Sequence, residues 1–186
     1  MNRFLKRAWA EIDLDALEHN YNEIKKLAKG KDILAVVKAN AYGHDDKAVC
    51  LKLQELGVKY YGVSNLWEGE KLRCHGITGT ILTFGYTDED YFDELLEYGI
   101  TQTAGSVQYA KQLSDYAVSK GVKLPVHIKV NTGMTRVGID SQQEMLDILA
   151  MPGLDCKAAY THFAAADSLD PPDVEYTDRQ QEKLMK

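Results

Sequence analysis

The 186-residue chain carries only three cysteines, Cys50, Cys74 and Cys156, odd in number, far apart and outside any C-x-x-C pattern. Neither a disulfide framework nor a cysteine-based zinc site is expected, and a reducing, cytoplasmic setting fits. Long apolar runs are missing as well. Nowhere do about 18 apolar residues follow one another, and the charged opening Met1-Asn2-Arg3-Phe4-Leu5-Lys6-Arg7 leads into no apolar stretch, so neither a membrane span nor a signal peptide is expected. Positive charge is scarce: 22 Lys and Arg stand scattered among 28 Asp and Glu, for a net charge of -6. With no basic stripe, a nucleic-acid or anionic-membrane surface is disfavoured. No Gly-x-Gly-x-x-Gly turn follows the first predicted strand, and no stretch rich in Pro, Gly and Ser reads as a linker.

A hydrophobic content of 45% over this length is enough for a real core. Trp9 to Asp13 alternates apolar and polar residues and predicts a short N-terminal strand within a segment 1–13. From there a domain 14–186 begins. Asp13 caps a helix whose apolar residues Leu14, Leu17, Tyr21, Ile24 and Leu27 recur at helical spacing, with Gly30 as the stop. Ile33 to Val37 reads as a strand buried on both faces, followed by a loop around Gly43 and a helix closing at Gly57. Tyr60–Val63 is the second strand, and Asn65 with Glu68 predicts a capping box for the next helix. Further strands fall at 80–84, 100–103, 125–131 and within 154–161, with helices between them. Ser141 and Glu144 form a second capping-box pattern, and a last helix is read from Asp178.

Strand and helix alternate about every 20 to 30 residues, the pattern of βαβ units around a parallel sheet. A (β/α)8 barrel of the TIM type needs about 250 residues, so the expected fold is α/β, an incomplete barrel with about six of its eight βα units. An open doubly wound sheet is the alternative. The candidate functional side chains Lys38, Lys129 and His162 all fall at or near the carboxyl ends of predicted strands, where barrel active sites are built. A lysine in a dry pocket loses affinity for its proton, and the neutral amine attacks aldehydes. Lys38 is the candidate for that role. By pattern alone, Lys129 could be a polar-face residue of its strand, Arg136 a surface arginine after a turn, His162 a hydrogen-bonded core histidine and Tyr42 a loop tyrosine.

The segment Val37-Lys38-Ala39-Asn40-Ala41-Tyr42-Gly43-His44 resembles the cofactor-lysine signature of the alanine racemase family, pyridoxal-phosphate enzymes of barrel type. Lys129 to Gly138, Tyr160 to Asp167 and the opening Ala8 to Leu14 resemble family stretches in the same order. The likeness runs over essentially the whole chain but covers about the first half of such an enzyme. It implies that Lys38 holds pyridoxal 5'-phosphate as a Schiff base and acts as one of two bases exchanging the α-proton. It also implies that Tyr42 contacts the cofactor phosphate, that His162 lies beside the ring, and that Arg136 orients cofactor and substrate. Lys129, by the same likeness, is a lysine that can be carbamylated to pair with Arg136. No metal is implied. Asp45 stands where the family usually has glycine, and Asn131 where aspartate is more usual. The resemblance further implies a C-terminal β-domain, absent from this chain, that delivers the second base across a homodimer interface. Alanine is the expected substrate and serine the nearest rival. Decarboxylation of a basic amino acid and a non-catalytic cofactor-binding module are further alternatives. The fragment alone is expected to be inactive, and its open strand edges to make it self-associate.

Overall fold

The computed structural model describes residues 8–186, in which two compact units meet in sequence at Thr83 and Phe84. In the first unit, α1 (Leu14–Leu27) opens on Asp13, whose carboxylate accepts from the Asp15 and Ala16 backbone N–H groups at 2.9 Å each. Such a cap is worth about 1 kcal/mol. Strands β1 (Leu34–Val36), β2 (Tyr60–Val63) and β3 (Thr80–Thr83) pair in parallel, β1 with β2 and β2 with β3. The helical turn α2 (Lys38–Gly43) and helix α3 (Asp46–Glu55) lie between β1 and β2, and α4 (Leu66–Cys74) between β2 and β3. The central strand β2 is well covered: Tyr61 and Val63 are fully buried, with Ile81 and Leu82 of β3 beside them.

In the second unit a short 3-10 turn (Glu89–Tyr91) leads into α5 (Phe92–Glu97), followed by β4 (Ile100–Ala104), α6 (Val107–Ser119) and β5 (Leu124–Lys129). Helix α7 (Gln142–Leu149), strand β6 (Leu154–Tyr160) and helix α8 (Pro171–Met185) complete it. β4 pairs with β5 and β5 with β6, both in parallel. Every residue of β4 is buried, and Leu113, Leu124, Val126 and Ile148 pack a core with no exposure. The alternation of parallel strands and helices is that of the α/β class, and among the described residues the six strands read after Asp13 are the six that form.

Four local expectations are corrected. Residues 8–13 form no strand, and Trp9 is 74% exposed: the alternating pattern has no sheet face to lie on among the described residues. The opening residues 1–7 of the predicted segment lie outside the described ones. β1 is not buried on both faces, since Val36 is 42% exposed and the strand pairs within its unit with β2 alone. Asn65 does accept from the Glu68 N–H at 3.1 Å, but the Glu68 carboxylate does not return the bond to Asn65; it is spent on Ser64 and Ala39. Helix α8 starts at Pro171 rather than Asp178, because proline at the first helical positions has its φ already set and no N–H to lose.

Candidate functional site

In the first unit Lys38 stands two residues beyond the end of β1, where Val37 N–H still extends the ladder by donating to Gly62 C=O at 2.9 Å. The chain then does something the sequence pattern does not announce. Ala39, Asn40, Ala41 and Tyr42 all take left-handed helical angles, with φ between 51 and 56°. For residues with a Cβ this costs roughly 1–2 kcal/mol each and is seldom sustained beyond one residue. What holds the turn is a set of specific bonds. Ala41 N–H donates to Val37 C=O at 2.9 Å, and His44 N–H to Ala41 C=O at 3.1 Å. Glu68 Oε1 accepts the Ala39 N–H at 2.8 Å while its Oε2 accepts the Ser64 N–H and hydroxyl, both at 2.7 Å. Asn40 Oδ1 accepts from the Asp46 N–H at 3.1 Å, and Asp46 is paired with Lys71 at 2.8 Å.

Burial works against the charge of Glu68, but the bonds from Ser64 and Ala39, with Lys38 as a nearby cation, hold its carboxyl below the usual carboxylate range. Lys38 itself is half-buried, and Tyr42 is 60% exposed at the far end of the turn. Asp45 takes a glycine-like φ of 67° and caps α3, accepting from the Ala48 N–H at 3.0 Å.

In the second unit β5 ends at Lys129 and the chain returns through a loop that closes on itself. Ile139 N–H donates to Lys129 C=O and Asn131 N–H to Ile139 C=O, both at 2.9 Å. Gly138, at φ 138°, makes this return possible: a Cβ there would come within 2.7 Å of the Asn131 nitrogen. Asn131 then organises the loop interior, accepting from Gly133 and Thr135 N–H groups at 3.2 and 3.0 Å and donating to Asp140 at 2.8 Å. An aspartate could accept the first two bonds but would set its charge against Asp140, so the asparagine is matched to this loop. Arg136 sits exposed near the loop tip, and His162 is exposed two residues beyond the end of β6.

Lys129 is the outlier of this unit. It is 7% exposed, and its Nζ has no hydrogen-bond partner among the described residues. The amine lies 4.8 Å from the centroid of the Tyr160 ring, whose hydroxyl is bonded to Thr103 at 2.8 Å. Burial, and after it the Arg136 guanidinium, push the ammonium down from the ordinary lysine range to about 8. Arg136 acts on the buried Lys129 as a like charge, and an anion near the pair would relieve that repulsion.

The first unit thus carries Lys38 and Tyr42 on one turn, and the second carries Lys129, Arg136 and His162 on the segments that follow β5 and β6. Sequence reasoning missed Glu68, taken there for a capping residue, and Gln180, whose side chain reaches the loops of the second unit. Glu68 had a signal, its place three residues after Asn65; Gln180 had none. Among the described residues no group of His, Cys, Asp and Glu side chains is arranged to hold a metal ion.

The family model of the alanine racemase N-terminal domain matches residues 12–186. The chain belongs to the alanine racemase family. A curated alanine racemase of Clostridium perfringens SM101 is 39% identical over 188 residues, covering 99% of this chain and 48% of the relative. The solved alanine racemase of Clostridium difficile 630 in complex with cycloserine matches 98% of this chain and 53% of its own at a TM-score of 0.87 and 34% identity. A histidine racemase of Leuconostoc mesenteroides matches 92% of this chain and 47% of its own, with a TM-score of 0.84 at 27% identity. The chain spans about half the length of the racemases it matches. Its fold is that of the barrel portion of these enzymes, and the incomplete α/β barrel expected from the strand count is the one found.

Proposed function

We propose that the chain is the N-terminal barrel portion of a pyridoxal-phosphate-dependent racemase that interconverts L- and D-alanine for cell-wall precursors. The observation that carries the reading is the placement of family-like residues at strand ends: Lys38 after β1, Lys129 closing β5 and His162 after β6. Within a family whose curated relatives are named alanine racemase, that placement is what an amino-acid cofactor site requires. Alanine is preferred over serine on those names; the likeness to a histidine racemase means that the fold by itself does not choose the side chain.

The donor set fits the cofactor. An amine suits its aldehyde, a phenol its phosphate and a guanidinium its phenolate oxygen, and Lys129, whose Nζ lacks a hydrogen-bond partner among the described residues and feels the Arg136 charge, would be relieved by becoming a carboxylate. When bound, pyridoxal 5'-phosphate supplies the electron sink that makes the α-proton of an amino acid removable. Lys38 Nζ would hold the cofactor and, once released by the substrate amine, take or return that proton from one face. Tyr42 would donate its hydroxyl to the phosphate. Arg136 would direct its planar fork at the ring oxygen and the substrate carboxylate. His162 would lie along the ring. Carbamylation of Lys129 would turn a buried cation into a carboxylate that orients Arg136. A second base from outside this chain, and a homodimer that supplies it, complete the proposal. The setting proposed is cytoplasmic; among the described residues no helix is long and apolar enough to cross a membrane.

Circular dichroism of L-alanine tests the activity. Turnover by this chain joined to the rest of the protein, and little or none by residues 1–186 alone, is expected. Turnover by the isolated chain at the rate of a complete enzyme would contradict the division of labour.

A further inference from the structure

Helix α8 is 15 residues long and has one buried residue among those described, and that residue is a glutamine. Gln180 is 1% exposed. An uncharged amide buried at that depth is costly unless all its bonds are made, and here they are made to the segments that follow two strands. Oε1 accepts the Ala164 N–H at 2.9 Å. That fixes the amide orientation, so Nε2 points the other way and donates to the His162 C=O at 3.2 Å and to Thr132 Oγ1 at 3.1 Å.

A directional chain continues from there. Thr132 Oγ1 lies 2.7 Å from Thr161 Oγ1, and the Thr161 hydroxyl donates to Val130 C=O at 2.8 Å. Because Thr161 spends its proton on Val130, it is Thr132 that donates to Thr161, leaving Thr132 with lone pairs for Gln180. Val130 N–H in turn donates to Tyr160 C=O at 2.8 Å, the last rung between the two strand ends. Two further residues of α8 grip the same loop. Tyr176 donates its hydroxyl to Gly133 C=O at 2.9 Å, and Lys183 donates to Asn131 C=O at 2.8 Å. Gly133 admits the tyrosine: a Cβ there would stand within 2.4 Å of the Tyr176 oxygen.

We infer that Gln180 is a positioning residue for the site, the side chain that sets the loop bearing Arg136 and the segment bearing His162 in a fixed relation to each other. Arg136 and His162 both lie beyond the strand ends; the Gln180 amide joins their two segments from a third element, with Tyr176 and Lys183 steadying one side. This rests on the racemase reading for what the two residues then do, but not for the fastening itself.

The test uses Gln180→Met and Gln180→Glu in the full-length chain. Methionine keeps the volume and loses all three bonds. Glutamate keeps the Ala164 bond and sets a carboxylate against the His162 C=O, so it should fail to rescue. Amide hydrogen exchange is expected to accelerate about tenfold or more over 131–138 and 161–166 in both variants, the equivalent of one lost buried hydrogen bond, with α6 unchanged. Racemisation should show KM for L-alanine raised about fivefold or more with kcat nearly kept, again the scale of one bond. A glutamine that served stability alone would lower the amount of active enzyme and leave KM where it was. Unchanged exchange in the two segments, equal acceleration in α6, or an unmoved KM despite loosened segments would each overturn the inference. If the unmutated full-length protein turns over no alanine, the racemase reading falls, and the exchange result alone decides the fastening.

Discussion

Replacing Lys129 with methionine removes a charge and keeps the stem, which makes it the sharpest probe of the second unit. Lys129 is 7% exposed and its amine has no hydrogen-bond partner among the described residues, and burial followed by Arg136 brings its pKa from 10.5 to about 8. At about 1.4 kcal/mol for each tenfold change in proton affinity, keeping it charged costs the fold about 3 kcal/mol at neutral pH. The Tyr160 face 4.8 Å away returns about 1 kcal/mol of that. Lys129→Met should therefore stabilise the chain by about 2 kcal/mol at pH 7.

The pH dependence has a definite sign. The unfolded lysine keeps its proton up to about 10.5 and the folded one gives it up near 8, so between these values the unfolded state binds more protons and the unmutated protein gains stability as pH rises. The advantage of the variant is full below about 8 and fades toward 10.5. Bicarbonate should reverse it, because a carbamate on Lys129 would face Arg136 as an anion and stabilise the unmutated chain by mass action. Urea unfolding in CO2-free buffer at two pH values, then with bicarbonate, reads all three effects. A variant less stable at pH 7 without CO2, or a gain that ignores pH, would refute the reasoning.

Three further outcomes follow from single residues. Glu68→Ala strips the acceptor from Ala39 N–H and Ser64, and should cost about 2 kcal/mol in urea unfolding, the usual penalty for stranding part-buried donors; no loss would mean the left-handed turn needs no such brace. Ala39→Gly should leave stability unchanged or raise it by up to about 1 kcal/mol, since glycine takes φ 52° without strain; a loss above 1 kcal/mol would contradict the turn's geometry. Ser141→Ala breaks the reciprocal capping box in which Ser141 and Glu144 exchange bonds at the start of α7, and should cost about 1 kcal/mol by thermal or urea unfolding.

What the sequence made legible is what local periodicity and chemistry control. Tyr60–Val63 is the strand expected, the Asp13 cap and the Ser141 capping box form as spaced, and Lys129 and His162 stand at strand ends. The turn after Lys38 was read as a loop, because Ala-Asn-Ala-Tyr carries no glycine to announce left-handed backbone; its stability comes from Glu68, 29 residues away from Ala39. Pattern alone leaves Lys129 open as a polar-face residue, since alternation places a residue on a face without saying whether anything pairs with it there. Gln180 was invisible for a similar reason: three of its partners lie 16 to 48 residues back, and nothing in the local helix marks a buried amide.

The most direct test of the cofactor site is borohydride trapping of pyridoxal phosphate on the full-length protein, followed by peptide mass mapping. A single reduced adduct on the peptide carrying Lys38 is the predicted result. Specific labelling elsewhere, or no labelling of Lys38 at all, would contradict it and remove the racemase reading.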